Sequence, residues 1–144
     1  MPAHAHDPRR RQYVTRPFLR ALRRRQGPRE RALGLTELDL YVPALNFAFG
    51  EADPAAGCAI VSVARLGAGR PAGPQDPRWF RRLVTEAVHE VGHTYGLPHC
   101  PDPRCVMFFS NSLADTDRKS PHLCARCAPR LLPAAPPARP ARRG

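Results

Sequence analysis

Residues 89–99 read HEVGHTYGLPH, which matches the pattern HExxHxxGxxH at every fixed position. Residues four apart in an α-helix lie on the same face, so His89 and His93 can present two imidazole nitrogens to one Zn²⁺. Glu90 then lies beside the metal without binding it, where its carboxylate can take a proton from a zinc-bound water. The stretch therefore predicts a helix that carries the catalytic centre of a metallohydrolase.

The second half of the motif supplies a third metal ligand. Gly96 can adopt the left-handed backbone conformation that ends a helix and turns the chain sharply. His99 would then return to the metal from outside the helix. Three histidines leave one tetrahedral position for water, which distinguishes a catalytic zinc site from a closed structural one. A buried amphipathic helix with hydrogen-bonded histidines would explain neither Glu90 nor Gly96.

The sequence predicts that this helix spans about residues 77–95. Asp76 and Pro77 are typical of the N-cap and the first helical position. A stripe expected to face the core recurs every four residues, at Leu83, Ala87, Val91 and Tyr95. Three more apolar residues are expected to widen this core-facing surface, namely Trp79, Phe80 and Val84. Tyr95 has a second interpretation, since its hydroxyl could reach the oxyanion at the metal.

Four cysteines follow the motif at the spacing of zinc ligands: Cys100, Cys105, Cys124 and Cys127. The pattern C-x4-C and then C-x2-C suits a tetrahedral zinc bound by four thiolates, which is closed and therefore structural. Two disulfides are the alternative, but they require an oxidising compartment. The first twenty residues contain no apolar signal segment, so we expect a cytoplasmic protein with reduced cysteines.

Two further residues have side chains that can bind metals. Cys58 lies far from the other cysteines in the sequence and is expected to be a reduced, partly buried hydrophobic residue. His122 could replace one cysteine as a zinc ligand, but four thiolates already complete the second site, so we expect an exposed loop histidine.

The combined pattern HExxHxxGxxHC-x4-C-x-M, followed by C-x2-C, resembles the archaemetzincins, a metzincin-related family of zinc metallopeptidases. The resemblance implies a catalytic zinc on His89, His93 and His99, with Glu90 as general base. It also implies a structural zinc on the four cysteines, and hence two Zn²⁺ per chain. Met107 matches the family's methionine beneath the catalytic site, where its thioether would pack under the histidines.

The similarity covers roughly residues 7–128 and includes the strands before the helix, at 34–43, 45–52 and 60–66. The alternation from Leu38 to Val42 and the β-branched run at 59–63 independently predict strands. The expected fold is α+β, with a small mixed β-sheet packed on the active-site helix and a short zinc-bound C-terminal subdomain. Residues 45–49 alternate weakly and are either an edge strand that pairs with an extended peptide or an ordinary sheet edge.

The N-terminus departs from the family pattern. Archaemetzincins usually begin with a strand and a helix before the segment that resembles residues 7–10, whereas this sequence starts at Met1. The sheet is therefore expected to lack that strand and helix. Either the start has been assigned downstream of the true one, or the chain is a shortened member.

Charge is concentrated at the two ends of the 144-residue chain, whose formal net charge is +11. The sequence predicts an Arg-rich N-terminal segment with a short helix (1–31), a nearly neutral zinc peptidase domain (32–127) and a disordered Pro, Ala and Arg tail (128–144). The short helix carries five arginines, at Arg16, Arg20, Arg23, Arg24 and Arg25. Residues 67–77 are expected to form a mobile loop before the active-site helix.

Two functions of different classes follow from these features. The first is a zinc-dependent metallopeptidase, either an endopeptidase or an aminopeptidase, in which Glu90 moves a proton from water to the leaving amine. The alternative is a zinc-stabilised, catalytically idle binding protein whose Arg-rich termini contact nucleic acid. Glu90 favours the peptidase, because a binding module needs no carboxylate there. We expect a monomer that acts on a peptide or protein and does not associate with membranes.

Overall fold

The computed structural model describes residues 2, 4–68 and 73–131. In chain order, its elements are β1 (His6–Asp7), β2 (Gln12–Val14), α1 (Arg16–Arg25), β3 (Ala32–Thr36), β4 (Leu40–Tyr41), β5 (Gly50–Asp53), β6 (Cys58–Ser62), α2 (Pro77–Thr94), α3 (Leu113–Arg118) and α4 (Ala128–Leu131). Helix α2 ends one residue before the predicted limit. Helix α1 coincides with the predicted Arg-rich helix.

The strands form two small mixed sheets. In the first, β2 pairs antiparallel with β1 and parallel with β4. In the second, β6 lies at the centre, parallel to β3 and antiparallel to β5. All five residues of β6 are buried, as expected of an apolar central strand. The predicted α+β architecture is confirmed.

Helices cover the two faces of β6. Ile60 lies beside Gly34 on the face that packs against α1, where it forms a core cluster with Leu19, Leu40 and Cys58. Val61 pairs with Gly50 of β5, and its side of the sheet is the other face. Helix α2 packs on this face and contacts both β5 and β6. The side chains of α2 that point at β5 are therefore held over the sheet.

The buried face of α2 differs from the predicted one. Its buried residues are Trp79, Arg82, Thr85, Glu86, His89, Glu90, Gly92 and Thr94. Trp79 is in the core as predicted, but Phe80 and Tyr95 are 52% and 53% exposed. The prediction was wrong because polar side chains with specific partners occupy the buried face, so burial does not follow hydrophobicity along this helix.

An ion pair fixes α2 to α3. The guanidinium of Arg82 donates from Nε and Nη2 to the two carboxylate oxygens of Asp117, each at 2.7 Å, and from Nη1 to the carbonyl of Leu66 at 2.6 Å. Arginine provides a planar fork for such contacts. The loop before α2 and the segment after the metal motif are thereby joined to one side chain.

Three predicted segments remain: residues 45–49, the C-terminal tail and the loop before α2. Residues 45–49 are not a strand, since only Ala48 forms a bridge, to Leu40, and the edge strand beside α2 is β5. The predicted tail begins with the short helix α4, and its residues 132–144 lie outside the described part of the chain, as do residues 69–72 of the predicted mobile loop. None of the described helices is long and apolar enough to cross a membrane.

Candidate metal centres and active site

The two ends of α2 determine where the histidine motif lies. The side chain of Asp76 accepts hydrogen bonds from two backbone N–H groups of the first turn, so the helix begins as predicted. Gly96 has a φ of +83°, and the N–H of Leu97 donates to the carbonyl of Gly92 at 3.2 Å. This left-handed ending reverses the chain and brings His99 back to the helix.

The structure brings together His89, His93 and His99, as the sequence predicts. Their candidate ligand atoms all lie within 4.8 Å of one another. The Nε2 atoms of His89 and His93 are 3.1 Å apart. Two nitrogens at corners of a tetrahedron around zinc, each with a bond of 2.0–2.1 Å, would be about 3.3 Å apart. The separation therefore fits two ligands of one zinc ion.

Hydrogen bonds orient two of these rings. Nδ1 of His89 lies 2.7 Å from the carbonyl oxygen of Val106, and Nδ1 of His93 lies 2.7 Å from that of Leu97. Because a carbonyl oxygen only accepts, each Nδ1 carries the proton and donates it. The two Nε2 lone pairs then face each other, and a cation between them would remove that repulsion. The donor set thus fits a bound zinc ion.

The three imidazoles are neutral at physiological pH. Burial lowers the pKa of His89 to about 3, with a further contribution from the charge of Lys119. Burial is also the main cause that lowers the pKa of His93 and of His99. Only a neutral imidazole can bind a metal ion. The three rings therefore have few protons to release when zinc binds.

Glu90 is buried, and together with His89 it lines a cleft of about 190 Å³. The cleft is lined by residues 45–50, 86, 89, 90 and 109–111. Burial, followed by the charge of Glu86, raises the pKa of Glu90 well above its usual value, and the charge of Lys119 opposes this shift. A zinc ion held by the neighbouring histidines would favour the charged form of this carboxylate, which is the form that accepts a proton from water.

Gly50 allows β5 to pass close to Glu90. A β-carbon at Gly50 would lie 2.6 Å from Cγ of Glu90 and 2.7 Å from the backbone oxygen of Ile60. Both distances are far below van der Waals contact, so a side chain at this position would displace the strand or Glu90. Glycine here is explained by close approach to the candidate base.

We expect Gly50→Ala to lower the free energy of unfolding by about 1–3 kcal/mol, the usual cost of overpacking, and to reduce peptide cleavage because Glu90 shifts. Urea denaturation and kcat/KM, both on the zinc-loaded protein, measure the two effects. Gly73→Ala is the matched control, since a β-carbon there meets nothing within 4 Å. Equal behaviour of the two variants would contradict the close approach.

The second cluster contains Cys100, Cys105, Cys124 and Cys127. Their sulfur atoms also lie within 4.8 Å of one another. The Sγ atoms of Cys100 and Cys124 are 3.8 Å apart, the separation of about 3.8 Å expected for two sulfurs 2.3 Å from a tetrahedral zinc. All five cysteines of the chain are free in the structure, so the disulfide alternative has no support in it.

Met107 lies directly beneath α2. It is fully buried, and its sulfur occupies the space beside Gly92, where a β-carbon would come within 2.5 Å of Sδ. Gly92 lies between the first two histidines of the motif, so the thioether packs under the histidine cluster. This is the position that the resemblance implies for Met107.

The remaining candidate residues lie outside both clusters. Cys58 is completely buried in β6, where burial raises its thiol pKa. His122 is exposed and lies outside the cluster of four cysteines. The guanidinium carbon of Arg31 lies 4.2 Å from the ring centroid of Tyr95. Tyr95 is not among the residues that line the cleft. Its predicted role as a core residue is therefore wrong, and its stacking on Arg31 gives no support to the second interpretation, an oxyanion ligand.

Sequence reasoning missed a buried polar network at one wall of the cleft. The ammonium of Lys119 lies 3.0 Å from Oε1 of Glu86 and donates to the carbonyl of Phe108 at 3.1 Å. The hydroxyls of Thr116 and Ser110 donate to the same carboxylate oxygen, at 2.8 and 3.2 Å. Lys119 is the single lysine among 23 basic side chains, which was the available signal.

Three convergent imidazoles, a buried carboxylate beside them and an adjacent cluster of four cysteines define a metal-dependent hydrolase with a separate structural metal centre. Comparison with known families agrees with this class. Residues 11–132 match the model of peptidase family M54, and the chain belongs to that family.

Individual relatives are similar over most of the chain. It is 50% identical to the archaemetzincin of Methanopyrus kandleri over 88% of this chain and 70% of that protein, and 46% identical to that of Pyrococcus furiosus over 90% and 69%. The crystal structure of the Methanopyrus kandleri protein matches with a TM-score of 0.82 at 49% identity, over 91% of this chain and 70% of that one.

A second solved structure supports the same fold. The zinc-dependent peptidase of Methanocorpusculum labreanum matches with a TM-score of 0.79 at 32% identity, over 92% of this chain and 81% of that one. These relatives confirm the predicted archaemetzincin resemblance. Family membership also confirms the predicted class of the protein, a zinc metallopeptidase.

Proposed function

We propose that this protein hydrolyses peptide bonds at a zinc ion held by His89, His93 and His99, with Glu90 as the general base. The observation that carries the proposal is the pair of facing Nε2 atoms, 3.1 Å apart, on the helix that also places the buried Glu90 in the same cleft lining as His89. Membership of a peptidase family supports the reaction class.

When bound, zinc would polarise the scissile carbonyl and acidify water at the open coordination position. Glu90 accepts the proton of the attacking water and returns it to the leaving amine. Burial and the neighbouring Glu86 raise the pKa of Glu90, and the charge of a zinc ion on the three histidines would oppose this shift and favour the carboxylate that accepts the proton. The main-chain carbonyls of Val106 and Leu97 keep the rings of His89 and His93 in the orientation that binds metal.

The cleft favours cleavage within a peptide over aminopeptidase action. Among its described lining residues, the carboxylates are Glu86 and Glu90. Glu86 is already paired with Lys119, and Glu90 serves the reaction. No lining carboxylate in this part of the chain is left to bind a free α-amino group. An extended peptide would instead lie along residues 45–49, which form one rim of the cleft without themselves being a strand.

We propose a second, structural zinc on Cys100, Cys105, Cys124 and Cys127. Cys100 directly follows His99, so a metal on the four sulfurs would fix the third catalytic ligand. The backbone N–H of Cys127 is the main cause that lowers the pKa of Cys124, to about 6, whereas burial raises that of Cys127 to about 12. Thiolate ligands of this kind require a reducing compartment, for which we propose the cytoplasm.

Cleavage of a peptide library by the zinc-loaded protein tests the proposed activity, with products identified by mass spectrometry. We expect internal cleavage that disappears after chelation and returns when zinc is added. Release of single N-terminal residues would show aminopeptidase action instead. Silence from folded protein that carries both metals would contradict the peptidase and favour the alternative, a binding protein that contacts nucleic acid.

A further inference from the structure

The rim of the cleft, residues 45–49, is a loop, and only one end of it is hydrogen-bonded to the sheets. The backbone N–H of Ala48 donates to β4 and the carbonyl of Phe49 accepts from β6, each at 2.8 Å. Asn46 and Phe47, in the middle of the rim, form no backbone–backbone hydrogen bond with the described residues. Their position therefore depends on side chains from elsewhere in the chain.

Gln12, the first residue of β2, holds the backbone of the rim. It is 5% exposed. Its Nε2 donates to the carbonyl of Asn46 at 2.9 Å and to Oδ2 of Asp39 at 3.2 Å. The two bonds use both protons of the amide nitrogen. Because a buried donor without an acceptor is costly, they fix Asn46 relative to β2.

Asp39 connects Gln12 to a second contact, which holds the ring of Phe47. The guanidinium of Arg65 donates from Nε and Nη2 to the two carboxylate oxygens of Asp39, each at 2.7 Å. Its carbon lies 4.5 Å from the ring centroid of Phe47, a cation–π distance. An exposed ion pair contributes little stability, but a bidentate one fixes the plane of the guanidinium above the ring.

Phe47 is the point of the rim at which these contacts converge. It lines the cleft. Within the described part of the chain, its backbone N–H and C=O have no hydrogen-bond partner. Backbone groups of this kind can pair with an extended peptide. The contacts of Gln12 and Arg65 therefore determine where the rim offers its hydrogen bonds to a substrate.

We propose that Gln12, Asp39 and Arg65 are positioning residues for peptide binding. None of the three lines the cleft, and their side-chain hydrogen bonds are with one another and with the rim. A rim held in one conformation loses less conformational entropy when a peptide binds. The inference rests on the proposed peptidase activity, and it assigns the network to substrate binding, since α2 carries the catalytic groups.

Steady-state peptide cleavage by the zinc-loaded protein, with kcat and KM determined separately, tests this inference. Gln12→Met removes both donated bonds at nearly constant volume and should raise KM about fivefold, with kcat within about twofold. Arg65→Ala, a change at an exposed side chain, should act in the same way. The double variant should raise KM by less than the product of the single effects, because both residues act through Asp39.

Gln26→Met and Arg24→Ala are the matched controls. They make the same chemical changes at residues that do not line the cleft, and the side chain of Gln26 also donates to a backbone carbonyl, that of Glu30. Both constants should stay unaltered. An unchanged KM in Gln12→Met and Arg65→Ala, or a fall in kcat at constant KM, would overturn the inference.

Amide hydrogen exchange gives a second readout that needs no catalysis. The N–H of Ala48 is bonded to the carbonyl of Leu40. It should exchange about tenfold faster in Gln12→Met than in the unaltered protein or in Gln26→Met, because the neighbouring rim opens more often. Absence of cleavage by the unaltered protein would contradict the proposed function, whereas equal exchange at Ala48 in all three would overturn the positioning role.

Discussion

Replacing Glu90 with glutamine is expected to lower kcat/KM for peptide cleavage by about 10²–10⁴-fold, the usual contribution of a general base. Glutamine has nearly the same shape but cannot accept the proton of water. Since Glu90 belongs to neither cluster of candidate zinc ligands, both metal centres should keep their zinc. The expected result is a folded protein that carries two zinc ions and is inactive.

The measurement is steady-state cleavage of the best library peptide, with zinc content determined on the same samples. Glu30→Gln is the matched control, because it makes the same chemical change at an exposed carboxylate far from the cleft lining. Activity of Glu90→Gln within about tenfold of the unaltered protein would fall short of the general-base contribution and contradict the proposed role.

The second large effect is expected from Lys119→Met, which should lower the free energy of unfolding by about 3–5 kcal/mol. Lys119 and Glu86 are both buried, and removing the ammonium leaves the carboxylate with only two hydroxyl donors. An uncompensated buried charge is costly in a low-dielectric interior. Total stabilities are about 5–15 kcal/mol, so this loss would unfold a large fraction of the protein on mild heating.

Urea denaturation of the zinc-loaded protein measures this loss. Arg118→Met, one residue away, is the control: its ion pair with Asp115 is long, 3.8 Å, and exposed, so we expect a change below about 0.5 kcal/mol. The double variant Glu86→Gln with Lys119→Met should recover part of the loss, because the buried charge is gone. A change below about 1 kcal/mol for Lys119→Met would contradict the importance of the pair.

Local patterns predicted the features that depend on nearby residues. The N-cap at Asp76, the left-handed Gly96 and the histidine spacing together determine helix α2 and the return of His99. The cysteine spacing likewise predicted the cluster of four sulfurs that the structure brings together. In each case the residues of one short segment favour a single local conformation, so the local sequence is enough to predict it.

Features that depend on contacts between residues far apart in the chain could not be predicted from the sequence. Glu86 and Lys119 meet across α2 and the loop after Met107, and neither residue has a local partner that would suggest the pair. The apolar stripe of α2 was assigned to the core because amphipathicity does not say which neighbour covers a face. The pairing of β3 with β6 likewise depends on strand order, which residues 32–36 alone do not encode.

The central claim is that catalysis depends on a histidine zinc site that is separate from the cysteine site. Native mass spectrometry of the unaltered protein and of His93→Ala, with cleavage assayed on the same samples, tests it most directly. We predict two zinc ions and activity for the unaltered protein, and one zinc ion without activity for His93→Ala. Loss of both zinc ions, or of neither, in a folded His93→Ala sample would contradict the claim.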